Sequence, residues 1–299
     1  MEFTCQPQGP FELLFQNQYF NGWPTLTADP QTIVMAFPVE DWQSSAVVTL
    51  MQLPDGSLRG KVYGAHDNEK AKQQALAALS LDEDGSDWPK VGERDAFIGE
   101  LQKTYHYMRP TLFHSPYEAA AAFVIGHRIN IVQTRKIRAH MAQELGQTIA
   151  VGGQTFYAFP SPQELLTMQS FQSLNDTKIE RLHAVAQAAL DGWLTRDYLR
   201  TLDEESALSK LQTLPGIGEF FSQGILQRGM GHKDGFSHDD FTYYAIQQSH
   251  HAHGTFDRTA AEKIIEKWEP YRMWATVLTH VWARENSIRP AQIWRSAKK

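Results

Sequence analysis

A single cysteine, Cys5, stands in the 299 residues, so the chain can form no internal disulfide and cannot hold an iron–sulfur cluster on four thiolates of its own. It contains no apolar run near the roughly eighteen residues that a membrane-spanning helix requires. The start, MEFTCQPQGP, lacks the basic and apolar regions of a secretory signal, and a cytoplasmic protein is expected. Positive charge is also in deficit: 28 Lys and Arg against 34 Asp and Glu leave a formal net charge of −6. The global basic field that steers a protein toward nucleic acid is therefore missing, although a local basic patch would suffice. What is present is ordinary globular material, 42% hydrophobic and 21% charged, long enough for two packed domains.

Residues 1 to about 110 mix strand and helix signals. AVVTLMQL and SLRGKVYG flank Pro54-Asp55-Gly56, which predicts a β-hairpin. FELLFQNQYF and EKAKQQALAALSL read as amphipathic helices, and nothing in this region looks catalytic. LDEDGSDWPKVGERD, residues 81–95, is acidic and broken by Gly and Pro, as a solvated linker between a 1–95 domain and a 96–299 region would be.

From Ser115-Pro116 onward the pattern predicts helices alone. Further starts lie at Ser161-Pro162 and near Asp176, Asp203 and Asp257. One helix is expected from Pro116 to about Leu145, carrying His127, Arg128, Arg135, Lys136 and Arg138. Arg128 and Arg135, seven apart, would share a face, either as a basic footprint or as a solvated surface. SHHAHG at 249–254 has three His residues but no Cys or spaced carboxylate to complete a metal set, which favours a solvated loop.

The most informative stretch is LQTLPGIGEFFSQGILQRGMGHKDGFSHDD, residues 211–240. Pro215, Gly216 and Gly218 force a tight turn between two apolar helical segments, the second carrying Phe220, Phe221, Gly224, Ile225 and Leu226. A Gly-rich turn that opens a helix presents unpaired N–H groups at the positive end of the dipole, where a phosphate can sit. Asp239 and Asp240 follow, just before the helical run FTYYAIQQ, and spacing alone leaves open which of them caps that helix.

Together, LQTLPGIG, the FSHDD ending and WEPYRMWA at 268–275 resemble the helix-hairpin-helix DNA glycosylase superfamily, and within it the 3-methyladenine DNA glycosylase II branch. The likeness runs over nearly the whole chain and is strongest from Tyr117 to Trp282. It implies an α+β protein: a small antiparallel sheet with helices, similar to half of the TATA-binding-protein fold, then a helical region of two subdomains with the active-site cleft between them. The lone cysteine sets the chain apart from the cluster-bearing branch of that superfamily.

The resemblance also assigns roles. Asp240 is the catalytic carboxylate, which leaves Asp239 as the cap. The hairpin residues Pro215, Gly216, Ile217 and Gly218 grip DNA, as do His127, Arg128 and Arg135. Arg128 stands where relatives carry an apolar wedge, so it either fills the hole left by a flipped nucleotide or contacts a phosphate. Phe220 belongs to the base pocket, and either His280 or Trp282 joins it, depending on register. Tyr271 and Trp274 are supporting candidates, although aromatics on amphipathic helices are as often core. Gly224, where relatives have a Tyr, should enlarge or reshape the pocket. The backbone carbonyls of Gln212, Leu214 and Gly216 would bind a monovalent cation, Na or K, with no cofactor needed for catalysis.

Bifunctional relatives carry a Lys where this chain has Phe220, so hydrolysis to an abasic site without strand cleavage is expected. The implied function is a monofunctional DNA glycosylase of base excision repair acting on a damaged purine, an alkylated one by preference. Its partner would be double-stranded DNA and no membrane, and the protein a monomer located with the chromosome of a bacterial-type cytoplasm. The rival readings are a same-fold enzyme for another lesion and a non-catalytic helix-hairpin-helix binding module.

Overall fold

The Pro54-Asp55-Gly56 turn forms as its chemistry requires. Gly56 takes φ +84°, and the Asp55 carboxylate accepts from the Ser57 N–H at 3.0 Å and the Ser57 hydroxyl at 2.6 Å. The turn joins β3 (Ser45–Gln52) to β4 (Leu58–Tyr63) in a computed structural model that describes residues 1–15, 32–250 and 258–288. Strands β1 (Glu2–Cys5) and β2 (Thr32–Pro38), which the sequence did not reveal, complete a four-stranded antiparallel sheet of order β1-β4-β3-β2. Helix α1 (Asn68–Ala78), capped by the Asp67 carboxylate, packs Ala71, Ala75 and Ala78 into one cluster with Ile33, Val48 and Leu50 of the sheet. Of FELLFQNQYF, only Phe11–Phe15 lie among the described residues, and 13–15 are helical.

The acidic segment is not a solvated linker. It contains α2 (Trp88–Arg94) and leads into α3 (Ala96–Thr104), and Trp88, fully buried, is the first residue of a helical core. Asp82 and Glu83 pair with Arg200, and Glu83 also pairs with Lys233. Asp95 caps α3 and accepts from the Trp268 indole at 2.8 Å, with the His250 imidazole at 3.1 Å. Burial alone would raise the Asp95 carboxyl, but His250 and Trp268 outweigh it and hold it below its ordinary value.

The helix expected from 116 to 145 is broken into α4 (Pro116–Gly126) and α5 (Ile131–Leu145). Arg128 takes φ +58° in the break, and the Asn130 side chain caps α5. Arg128 and Arg135 therefore do not share one helical face. The second half is also not wholly helical, because β5 (Thr148–Val151) and β6 (Gln154–Tyr157) form a hairpin through Gly152 and Gly153, both at positive φ. The Gly-Gly pair between TIAV and QTFY was a legible turn signal. Val151 and Phe156 pack on Val34 and Val47, against the first sheet.

The remaining helices are α6 (Pro162–Thr167), with a Ser161/Glu164 capping box, α7 (Asp176–Leu190), α8 (Arg196–Leu199) and α9 (Glu204–Leu211). They are followed by α10 (Glu219–Ile225), a π-helical turn at Leu226–Met230, α11 (Asp240–Ser249), α12 (Arg258–Glu266) and α13 (Arg272–Glu285). Asp257 and residues 251–254 of the His-rich stretch lie outside the described residues. Helices α4 to α10 share one apolar core, while α2, α3 and α11 to α13 share another. Among the described residues no helix is long and apolar enough to cross a membrane.

Buried cations tie the sheet to the helices. The π-turn diverts carbonyls from the α-helical ladder, and Arg196, 4% exposed, donates to Gly229 O at 2.9 Å and Met230 O at 3.2 Å. Its own N–H donates to the Glu40 carboxylate at 3.0 Å, across from the sheet domain. Arg228 donates to Thr111 O at 2.6 Å, and burial lowers its pKa to about 10.

Candidate nucleic-acid interface and active site

The hairpin connects α9 to α10. Leu214 and Ile217 turn inward, 5% and 4% exposed, while Pro215, Gly216 and Gly218 face solvent. The Ile217 N–H donates to Leu214 O at 3.0 Å and closes the turn, with Gly216 at φ +83°. Gly218 begins α10 with no side-chain cap, which leaves first-turn N–H groups for a ligand or water. Among the described residues no hydrogen bond reaches the carbonyls of Gln212 or Gly216, so these oxygens are open to a hard cation, with Leu214 O keeping one lone pair.

Asp239 and Asp240 differ in what they touch. Asp239 is the N-cap of α11: its carboxylate accepts from the Thr242 N–H at 3.0 Å and the Thr242 hydroxyl at 2.5 Å. Asp240 is the first helical residue and is exposed, with no hydrogen bond recorded for its carboxylate among the described residues. His280 Nε2 stands 3.0 Å from the Thr242 hydroxyl, whose proton is already directed to Asp239, so the neutral imidazole donates from Nε2. Burial is the main cause that lowers the His280 pKa to about 4; Asp239 opposes it, and Arg228 and Arg284 add to it.

Of the two register alternatives, His280 is the one that reaches the Asp239–Asp240 corner. Trp282 packs instead on Phe97, edge to face at 5.2 Å. Tyr271 and Trp274 are core residues, 3% and 0% exposed, packed around Trp88, and the Tyr271 hydroxyl donates to Asp84 O at 2.7 Å. They do not open on a cleft. Phe220 is 57% exposed at the start of α10 and contacts Phe221, at 5.9 Å between centroids. Gly224 does not enlarge a cavity, because a Cβ there would lie 2.3 Å from the Phe123 ring. Phe123 fills the space that a side chain at 224 would take.

A cleft of about 580 Å³ opens between α4, α5 and α10, with Phe113, Phe123 and Phe221 among its walls and Arg135 at its edge. The buried Glu118 carboxylate faces it, ion-paired with Arg138 and with His114 Nδ1 at 2.8 Å. Burial pushes this carboxyl up, but His114 and Arg138 together outweigh that and hold it at about 2. Sequence reading missed Glu118, though its (i, i+4) spacing from His114 was visible. It also missed Lys178 and Arg181 of α7, which the fold brings to His127, with Arg181 also against Gly216 of the hairpin, and Ile131 and Val132, 65% and 60% exposed at the start of α5.

No family model matches the chain. It is 30% identical over 173 residues to DNA-3-methyladenine glycosylase 2 of Escherichia coli, an alignment that spans 56% of this chain and 57% of that protein. The 3-methyladenine DNA-glycosylase of Archaeoglobus fulgidus superposes with a TM-score of 0.78 at 17% identity, covering 96% of this chain and all of that one. The 8-oxoguanine glycosylase/lyase of Clostridium acetobutylicum, solved with double-stranded DNA, superposes with a TM-score of 0.62 at 18% identity, over 82% of this chain and 86% of that one. The chain thus has the fold of the Archaeoglobus fulgidus 3-methyladenine DNA-glycosylase and is similar in sequence, over a little more than half of its length, to DNA-3-methyladenine glycosylase 2 of Escherichia coli.

Proposed function

We propose that the protein is a DNA glycosylase of base excision repair that extrudes a damaged, alkylated purine from duplex DNA and hydrolyses its N-glycosidic bond. The observation that carries this reading is the division of labour in the Asp pair: Asp239 is consumed by the cap, while Asp240 is left exposed one residue on. Cleaving the bond builds positive charge on the sugar, and a fixed carboxylate beside C1′ stabilises that charge and orients the attacking water. The alkylated base is suggested by the likeness to DNA-3-methyladenine glycosylase 2 of Escherichia coli.

Phe220 has no amine, so no imine to the sugar forms there, and the product is an intact strand with an abasic site. A monovalent cation on the carbonyls of Gln212, Leu214 and Gly216 would add positive charge beside the hairpin N–H groups and so help to hold a phosphate. The protein would act as a monomer on the chromosome.

One observation favours a different lesion. Arg135, Arg138 and Arg228 line the cleft against the single carboxylate of Glu118, a balance that suits a neutral, acceptor-rich base better than a cationic one. Duplexes each carrying one lesion, alkylated or oxidised, separate the two readings after incubation and hot alkali. Breakage at the alkylated purine supports the reading given first, and breakage only at oxidised purines supports the second. No abasic product from any duplex sinks both and leaves a binding module.

A further inference from the structure

A second cavity, about 670 Å³, lies on the other side of the α4–α5 break and is lined by His127, Arg128, Ile129, the 173–175 loop, Thr177, Lys178 and Arg181. No carboxylate lines it; Asp176 and Glu180, on the same helix as Lys178, are not among its walls. None of Arg128, Lys178 or Arg181 forms an ion pair among the described residues, and Arg181 Nη1 stands 3.5 Å from His127 Nδ1. Lys178 Nζ is fixed by donating to Ile125 O at 2.7 Å, near the C-terminal end of α4. Arg181 passes directly over the hairpin: a Cβ on Gly216 would lie 2.6 Å from its guanidinium carbon. Arg128 is held at φ +58°, a conformation that costs a non-Gly residue about 1 kcal/mol or more.

Gathering like charges without a counter-charge is unfavourable unless an anion completes the site. The titration of the cluster agrees: burial first, then the neighbouring cations, lower the pKa values of both His127 and Lys178. Arg181, which lines the cavity, also lies against Gly216 of the hairpin.

We propose that Arg128, Lys178 and Arg181 form a phosphate subsite, adjoining the hairpin, that takes a DNA backbone phosphate. Arg181 joins the two, so that hairpin and cavity hold neighbouring positions of the DNA backbone. This inference rests on the DNA-binding part of the function proposed above. It gives Arg128 the phosphate contact rather than the wedge.

The test is the salt dependence of binding to an undamaged duplex, for the intact chain and for K178M/R181Q, R181K and K267M, the last removing an exposed lysine directly after α12 that does not line the cavity, with thermal unfolding as a check on folding. The expected result is a log K against log[salt] slope about two units shallower for K178M/R181Q, with R181K and K267M unchanged or nearly so. A loss of slope in K267M equal to that per cavity charge would show a bulk charge effect and overturn the proposal. An unaltered slope in folded K178M/R181Q overturns it too. If the double variant does not fold, K178M alone must lose about one unit. The small-anion alternative is probed with inorganic phosphate: tight binding that disappears in K178M/R181Q while the DNA slope stays unchanged assigns the cavity to a free anion instead. Failure of the intact chain to bind any duplex would refute the proposed function itself, whereas DNA binding without a change of slope refutes only this subsite.

Discussion

Gly224 and Phe123 show how one position is decided by its neighbour. With 2.3 Å between the Phe123 ring and a Cβ at 224, Gly224→Ala must displace the ring, and overpacking of this kind costs about 1–3 kcal/mol. In a Phe123→Ala background the same substitution should cost little, and a double-mutant cycle by thermal or denaturant unfolding reads the coupling. Additive effects would mean that Phe123 does not fill the space. The Asp pair behaves differently: Asp239→Ala removes an N-cap that holds both the Thr242 N–H and its hydroxyl, and is expected to destabilise the chain by about 0.5–2 kcal/mol. Asp240→Asn should leave the unfolding midpoint nearly unchanged. Sequence spacing could not separate these two residues, because the distinction lies in which carboxylate turns back on Thr242.

At the scale of elements, the α4–α5 break is what the sequence hid. The residues around it favour helix on either side, and the signal that divides them is local: an Asn130 cap and an Arg128 able to take a left-handed conformation. The hairpin, by contrast, was legible, because Pro and Gly fix backbone geometry whatever surrounds them. The tip of the break also exposes Ile131 and Val132, apolar side chains suited to enter a base stack if the loop reaches DNA. Ile131→Ser with Val132→Ser should then slow excision from a fully paired duplex far more than from a mismatched one, where extrusion costs less. Equal slowing on both duplexes would place the tip outside the stack. Aromatic residues such as Trp274 stayed undecided between core and pocket in the sequence because a buried ring and a pocket ring have the same helical spacing, and only packing around Trp88 tells them apart.

For the whole molecule, buried charge sets the response to pH. Glu118 is ionised in the fold, with its pKa held at about 2 below an ordinary 4.5, so the folded state gains stability that is complete above the ordinary value. That stability declines as pH falls through the interval down to about 2. His280 works in the same direction from higher pH: it is held neutral with a pKa of about 4 against 6.5, so the unfolded chain binds the extra proton between those values. Its contribution is present above 6.5 and is lost on descending toward 4. Unfolding midpoints measured from pH 7 to pH 3 should therefore fall in two stages, the first reduced in His280→Gln and the second in Glu118→Gln. Glu118→Gln should itself cost about 3–5 kcal/mol at neutral pH, since it leaves the Arg138 guanidinium without its counter-charge. A pH profile for Glu118→Gln parallel to that of the intact chain would contradict the assignment.

The central claim is that Asp240 carries out base excision, and single-turnover kinetics on a duplex with one alkylated purine test it most directly. The intact protein, in excess over DNA, should convert the lesion to an alkali-labile abasic site with no strand cleavage before alkali and no borohydride-trapped adduct. Asp240→Asn should bind the same duplex with comparable affinity while the excision rate falls by several orders of magnitude, because stabilising the sugar cation is an effect on the transition state. Asp239→Asn should retain excision under conditions where it is folded. Undiminished excision by Asp240→Asn, or its loss in a folded Asp239→Asn, would contradict the account.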